Sequence, residues 1–187
     1  MPEISLRAYN EYIQDRLARD AHTEVIAQCR HLLESFPKHI ETYKLLARAL
    51  MEQERYQDAL DLFQRVLSAD PSDFVAHVGM SDCYRESGAL EQAIWHLELA
   101  YEQVPSNIEL QQAIKELYAE SGKPPPRKIQ LTGGALARLY LKGRLYAQAL
   151  LEIRKALEKD PERLDLQILL AEALWEDHQI VEAGKAA

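Results

Sequence analysis

Cysteine and glycine are scarce in this chain, bases are outnumbered by acids, and no long apolar run interrupts it. Two cysteines among 187 residues, Cys29 and Cys83, each lie within an apolar helical pattern. They are too few for a disulfide framework and point to a cytoplasmic protein in a reducing compartment. No stretch of about 18 apolar residues occurs, and the start "MPEISLRAYNEYIQD" has no apolar segment behind a basic one, so neither a membrane span nor an export signal is expected. Thirty acids against 22 bases give a formal net charge of −8. That excludes a general nucleic-acid binder, because phosphate contacts need a basic footprint. The six histidines are scattered, with no H-x-x-x-H or C-x-x-C spacing and no Ser/His/Asp or Cys/His arrangement. No enzyme, metal site or cofactor is expected.

What is present keeps a regular interval. With 47% apolar and 28% charged residues the chain can bury a core. The segments "ESFPKH", "SADPSD" and "EQVPSN" place Pro37, Pro71 and Pro105 at two equal intervals of about 34 residues, room for one supersecondary unit each. Before each proline runs a helix-compatible apolar pattern, and polar turns such as "EQERYQD" and "ESGALEQ" fall about midway, so each interval reads as two antiparallel helices. Proline stops a helix because it lacks an N–H and disfavours helix in the residue before it. After Pro105, Ser106 as N-cap with Glu109 is expected to form a capping box.

Side-chain columns repeat with the stops. Tyr12, Leu46, Met80, Leu136 and Leu170 are large, and Ala47, Ser81, Ala137 and Ala171 beside them are small. In the second helices Ala59, Ala93, Ala149 and Ala183 share a column, with Phe63, Leu97 and Ile153 one turn later. Small beside large lets the ridges of one helix enter the grooves of another. This pattern resembles the tetratricopeptide repeat family from about Leu6 to Ala187. The resemblance implies an all-α, right-handed α-solenoid of about five and a half helix–turn–helix repeats in one domain, residues 1–187. The repeats fall at about 6–39, 40–73, 74–107, an irregular half repeat 108–129, 130–163 and a truncated repeat 164–187. Ile13, Arg16 and Val25 make the first repeat divergent, as in a capping repeat. The last stops at "VEAGKAA", within a second helix; a fragment of a longer protein, or an end covered by a partner, is expected. Leu170, Leu174, Trp175, Ile180 and Val181 should then form a sticky apolar end, a possible homo-oligomer contact.

The family resemblance also implies that first helices line a concave groove for a protein or peptide ligand. Helical spacing puts Arg7, Asn10, Gln14, Lys44, Arg48, Val75, Val78 and Asp82 there, followed by Glu109, Gln112, Glu116 and Arg138. Lys44 and Arg48 would attract an acidic segment beside an apolar contact at Val75 and Val78. Relatives that clasp the carboxylate tail of heat-shock chaperones are matched only at Asn10 and the Lys44/Arg48 pair, with Gln14, Val78 and Asp82 departing. His77 shares a column with Tyr9 and Tyr43 and reads as a packed aromatic substitute.

Charge is segregated: residues 73–122 carry net −7 and residues 123–160 net +6. Lys123, Arg127, Lys128, Arg138, Lys142 and Arg144 form a basic patch, with neutralisation by Glu109, Glu116 and Glu120 favoured over an external acidic partner. The alternative to a ligand-binding scaffold is self-assembly, acidic face against basic face. The patch opens at "SGKPPPRKIQLTGG". Pro161 comes more than one and a half intervals after Pro105, so a helix over Asn107–Ser121 lacks its second helix, and Lys115 replaces the small residue that would admit one. Gly122 is expected as a left-handed C-cap. The prolines then favour either an extended strut returning along the helix, with Ile129 and Leu131 inward and Gly133 and Gly134 allowing close approach, or a plain hairpin into an antiparallel helix from Thr132.

Overall fold

The computed structural model describes residues 5–124 and 131–186. Among them lie eleven helices and no strand: α1 Leu6–Ala18, α2 His22–Ser35, α3 Ile40–Met51, α4 Tyr56–Ala69, α5 Phe74–Glu86, α6 Leu90–Gln103, α7 Ile108–Glu120, α8 Gly133–Lys142, α9 Tyr146–Lys159, α10 Leu164–Glu176 and α11 Ile180–Ala186. Capping side chains start several of them: Ser5, Asp73, Asn107 and Thr132 accept backbone N–H bonds from the first turns of α1, α5, α7 and α8. At α7 the cap is Asn107 rather than Ser106, since the Asn107 side-chain carbonyl reaches both Glu109 N and Leu110 N. The described chain forms two compact units, residues 1–96 and 97–187, with α6 passing from one into the other.

In the first unit the small columns are closed contacts. Ala47, Ala59 and Ala93 are fully buried, and Phe63 fills the space between helices. A Cβ on Gly79 would stand 2.3 Å from Phe63 Cζ, so that glycine is required by the ring. Tyr12 departs from its column: it is exposed, and its hydroxyl donates to Glu24, which also pairs with Arg16. Cys29 and Cys83 are buried free thiols whose pKa burial pushes up to about 12, which makes them packing groups, not nucleophiles. His77 is buried as expected of an aromatic substitute, but it also bonds. Its Nε2 lies 3.1 Å from Pro71 O and its Nδ1 3.0 Å from His96 Nδ1. Tyr84 and Trp95 flank His96 with stacked and edge contacts.

The second unit contains the interruption. Tyr118 Oη donates to Glu98 at 2.9 Å and Gln111 to the Tyr101 hydroxyl at 3.2 Å, which ties α7 to the C-terminal half of α6. Gly122 has φ +72° and closes α7, as expected. Thr132, the cap of α8, donates to Glu102 at 2.5 Å near the end of α6. Helices α7 and α8 therefore both start from the C-terminal end of α6, as a parallel restart requires and a plain hairpin does not. Residues 125–130, with Ile129 and the course of the strut, lie outside the described residues. Leu131 is exposed rather than packed inward, because the turn into α8 directs Thr132 instead onto Glu102. At the far end Leu174 is buried in a core with Ala183 of α11, whereas Trp175 and Val181 remain exposed. The expected apolar end is thus narrower than its sequence suggests, because one short helix suffices to cover Leu174.

Two periodic details go beyond the sequence pattern. Each of the four prolines that end a repeat has a carbonyl that accepts from a side chain six residues on: Pro37 from Tyr43 (2.9 Å), Pro71 from His77 (3.1 Å), Pro105 from Gln111 (3.3 Å) and Pro161 from Gln167 (2.7 Å). Phenol, imidazole and amide serve alike, so the column is one of donors, not of aromatics. Secondly, Asp20, Glu54, Gly88, Gly122, Arg144 and His178 all have φ between +56° and +76° in the turns after first helices. A side chain is strained in that conformation, and among the described residues the Glu54 side chain has no hydrogen bond or ion pair to offset it, the residue being held only by its backbone N–H to Met51 O at 2.8 Å. Glu54→Gly is expected to stabilise the protein by about 0.5–1 kcal/mol in urea unfolding; a loss of stability would mean that the turn gains from the side chain.

Candidate functional site

The open face of α1, α3 and α5 carries the expected groove positions, and they divide by availability. Arg7 is exposed and pairs with Glu11 at 3.1 Å. Asn10 is turned inward, 6% exposed, and accepts from the Thr42 hydroxyl at 3.5 Å. Lys44 sits between Glu41 (2.9 Å) and Asp73 (3.0 Å), its side chain 16% exposed. Burial opposes its charge, but the bonds to Glu41 and Asp73 outweigh this and its pKa is raised. Because Asp73 also caps α5, Lys44 joins α3 to the start of α5 and is not a free cation.

Gln14, Arg48, Val75 and Asp82 remain exposed and Val78 half-buried. Gln14, Arg48 and Asp82 stand one repeat interval apart, each in the same register of its helix. Water reaches Asp82, yet surrounding protein raises its pKa by desolvation, partly offset by Arg85 and reinforced by Glu86. The apolar pair Val75 and Val78 borders it one and two turns earlier on α5.

The basic patch divides in the same way. Lys123, Lys142 and Arg144 are exposed, and Arg127 and Lys128 lie outside the described residues. Arg138 is instead part of a buried charged cluster in the second unit, donating to Asp165 at 2.9 Å. Arg163 reaches the same Asp165 through Nε (2.8 Å) and Nη2 (2.7 Å) and Glu102 through Nη2 (2.6 Å). Glu102 is 3% and Asp165 8% exposed. Burial lowers the Arg163 pKa, but Asp165 and Glu102 outweigh it, so the guanidinium stays charged. Gly134 completes the arrangement: a Cβ there would fall 2.3 Å from Glu102 Oε2. A Cβ on Gly133 would stand 3.3 Å from Ala156 Cβ. The glycine pair thus makes room for a carboxylate on one side of α8 and for α9 on the other. The neutralising partner of Arg138 is Asp165, not an acid on α7.

For Arg163 the sequence does hold a signal. Its column contains His39, Asp73 and Asn107, all N-caps that accept a backbone N–H. A guanidinium cannot accept one, so a different partner had to exist. Glu102 gives no such signal, since Glu34, Ser68 and Glu158 in its column are exposed. Among the described residues no group of three His, Cys, Asp or Glu could hold a metal ion, and no helix is long and apolar enough to cross a membrane.

Family models described as tetratricopeptide repeat match residues 50–117 and 135–187, together more than half of the chain. A model described as bacterial transcriptional activator domain matches residues 1–72. Tetratricopeptide repeat protein 21A of Mus musculus is 32% identical over 84 residues, a match spanning 45% of this chain and 6% of that protein. Among solved structures, the MamA protein aligns with TM-score 0.55 at 14% identity, over 95% of this chain and 85% of that one. TTC0263, a thermophilic TPR protein of Thermus thermophilus, aligns with TM-score 0.53 at 24% identity, over 88% and 96% of the respective chains. These two likenesses are of fold.

Proposed function

Because the chain belongs to the tetratricopeptide repeat family, we propose that it is a non-catalytic protein-interaction scaffold whose first unit binds a peptide or partner segment on the open face of α1, α3 and α5. The observation that carries this reading is that Val75 and Val78 stay wholly or partly open on α5, on the same helix as the exposed Asp82 and one repeat from the exposed Arg48 on α3. Val75 and Val78 supply the contact that excludes water, while Arg48 and Asp82 set register; exposed charges alone add about 0–1 kcal/mol each. Asn10 and Lys44 support the patch from behind through Thr42 and Asp73. A cytoplasmic setting belongs to the same reading and is supported by the two unpaired buried thiols.

Lys44 should be left intact in a test, since its loss would unpin α5. Arg48→Glu combined with Val78→Asp is expected to abolish capture of the interactors that the unaltered protein draws from lysate, with the circular dichroism spectrum unchanged. An identical interactor set in the double variant would remove this face from consideration.

A further inference from the structure

A cavity of about 630 Å³ opens in the second unit, between the end of α8, the start of α9 and the last turns of α10. That volume is within the range of clefts that hold small ligands, roughly 300–1,000 Å³. Tyr146 and Trp175 provide its aromatic surface, and Trp175 is 61% exposed. Lys142 and Arg144 stand on the α8–α9 side, Glu172 and Glu176 on α10. Among the described residues none of these four charges has an ion-pair partner, although opposite signs line one cavity. In the α3–α4 turn, by contrast, Arg55 is held by Asp58. Arg144 also occupies a left-handed backbone position, φ +56°, where Gly88 and Gly122 stand in other repeats.

We propose that this cavity is a second binding site, distinct from the face of the first unit, for a peptide segment in which a large apolar side chain is flanked by an acidic residue on one side and a basic residue on the other. The apolar side chain lies against Trp175 and Tyr146. The acid pairs with Lys142 and Arg144, and the base with Glu172 and Glu176. A segment of one charge sign satisfies one wall and is repelled by the other, so the walls select mixed charge.

The test uses the full chain with Trp95→Phe, which leaves Trp175 as the sole tryptophan reporter. Four blocked tripeptides are titrated against its fluorescence: Asp-Leu-Lys, Lys-Leu-Asp, Asp-Leu-Asp and Lys-Leu-Lys. At least one mixed peptide should bind about fivefold or more tighter than both single-sign peptides, a preference that disappears near 1 M salt. Arg144→Gly should weaken that peptide while leaving Tm equal or higher. Equal binding of all four, tighter binding of the acidic peptide, or no change of emission up to about 10 mM of either mixed peptide, a weak limit for so small a ligand, overturns the proposal.

Discussion

Arg163→Ala is expected to destabilise the second unit by about 3–5 kcal/mol, the usual result of removing one partner from a buried charged group. The reason is geometric. Arg163 touches both buried carboxylates, so its loss takes two hydrogen bonds from Asp165 and the guanidinium from Glu102. Urea unfolding gives the magnitude, and hydrogen exchange gives the place: amides of α8 and α10 should speed up more than those of α3 and α4. Because a truncated arginine also loses packing, Glu102→Gln with Arg163→Met completes a double-mutant cycle, expected to show coupling of about 1 kcal/mol or more. A loss below about 1 kcal/mol for Arg163→Ala would show that the cluster contributes geometry without stability.

Acid should act on the first unit. His96 is buried, and burial first and His77 second lower its pKa from 6.5 to about 4. The unfolded chain therefore binds the extra proton between these two values and the folded chain does not. The stability tied to His96 is whole above about pH 6.5 and is lost as pH falls toward 4. At about 1.4 kcal/mol per unit of pKa, the loss is on the order of 3 kcal/mol. His96→Phe retains the ring between Tyr84 and Trp95 and removes the titration. The difference in unfolding free energy between this variant and the parent should change by that amount from pH 7 to pH 4; two parallel pH profiles would mean that His96 does not carry it.

How far the sequence could be read depended on which residues recur. Alanine columns and proline stops repeat, so the alternation of paired helices could be read, and the helix expected over Asn107–Ser121 lies within a residue of α7 at each end. The outward positions of α1, α3 and α5 were legible as rows of helical spacing, but not the inward turn of Asn10 or the capture of Lys44. Helical spacing tells which way a side chain leaves its own helix, and says nothing of an Asp73 waiting on the next. The charged cluster was the least legible. Glu102 and Arg163 are 61 residues apart, and they meet because α8 restarts at the end of α6, a consequence of an irregular segment with no counterpart in the other repeats.

The donor that each repeat-ending proline carbonyl receives has one further consequence, concerning where protons reside. Tyr43, Gln111 and Gln167 end the chain of donation, since nothing beyond them depends on which atom holds hydrogen. His77 does not. Pro71 O can only accept, so a neutral His77 must keep its hydrogen on Nε2 and offer Nδ1 as a lone pair. His96 must then carry its own hydrogen on Nδ1, facing His77. A loop carbonyl ahead of α5 thereby dictates the tautomer of an imidazole on α6, and the two rings form a relay with one polarity. Of the four ways to place two hydrogens on two neutral rings, the fold admits one.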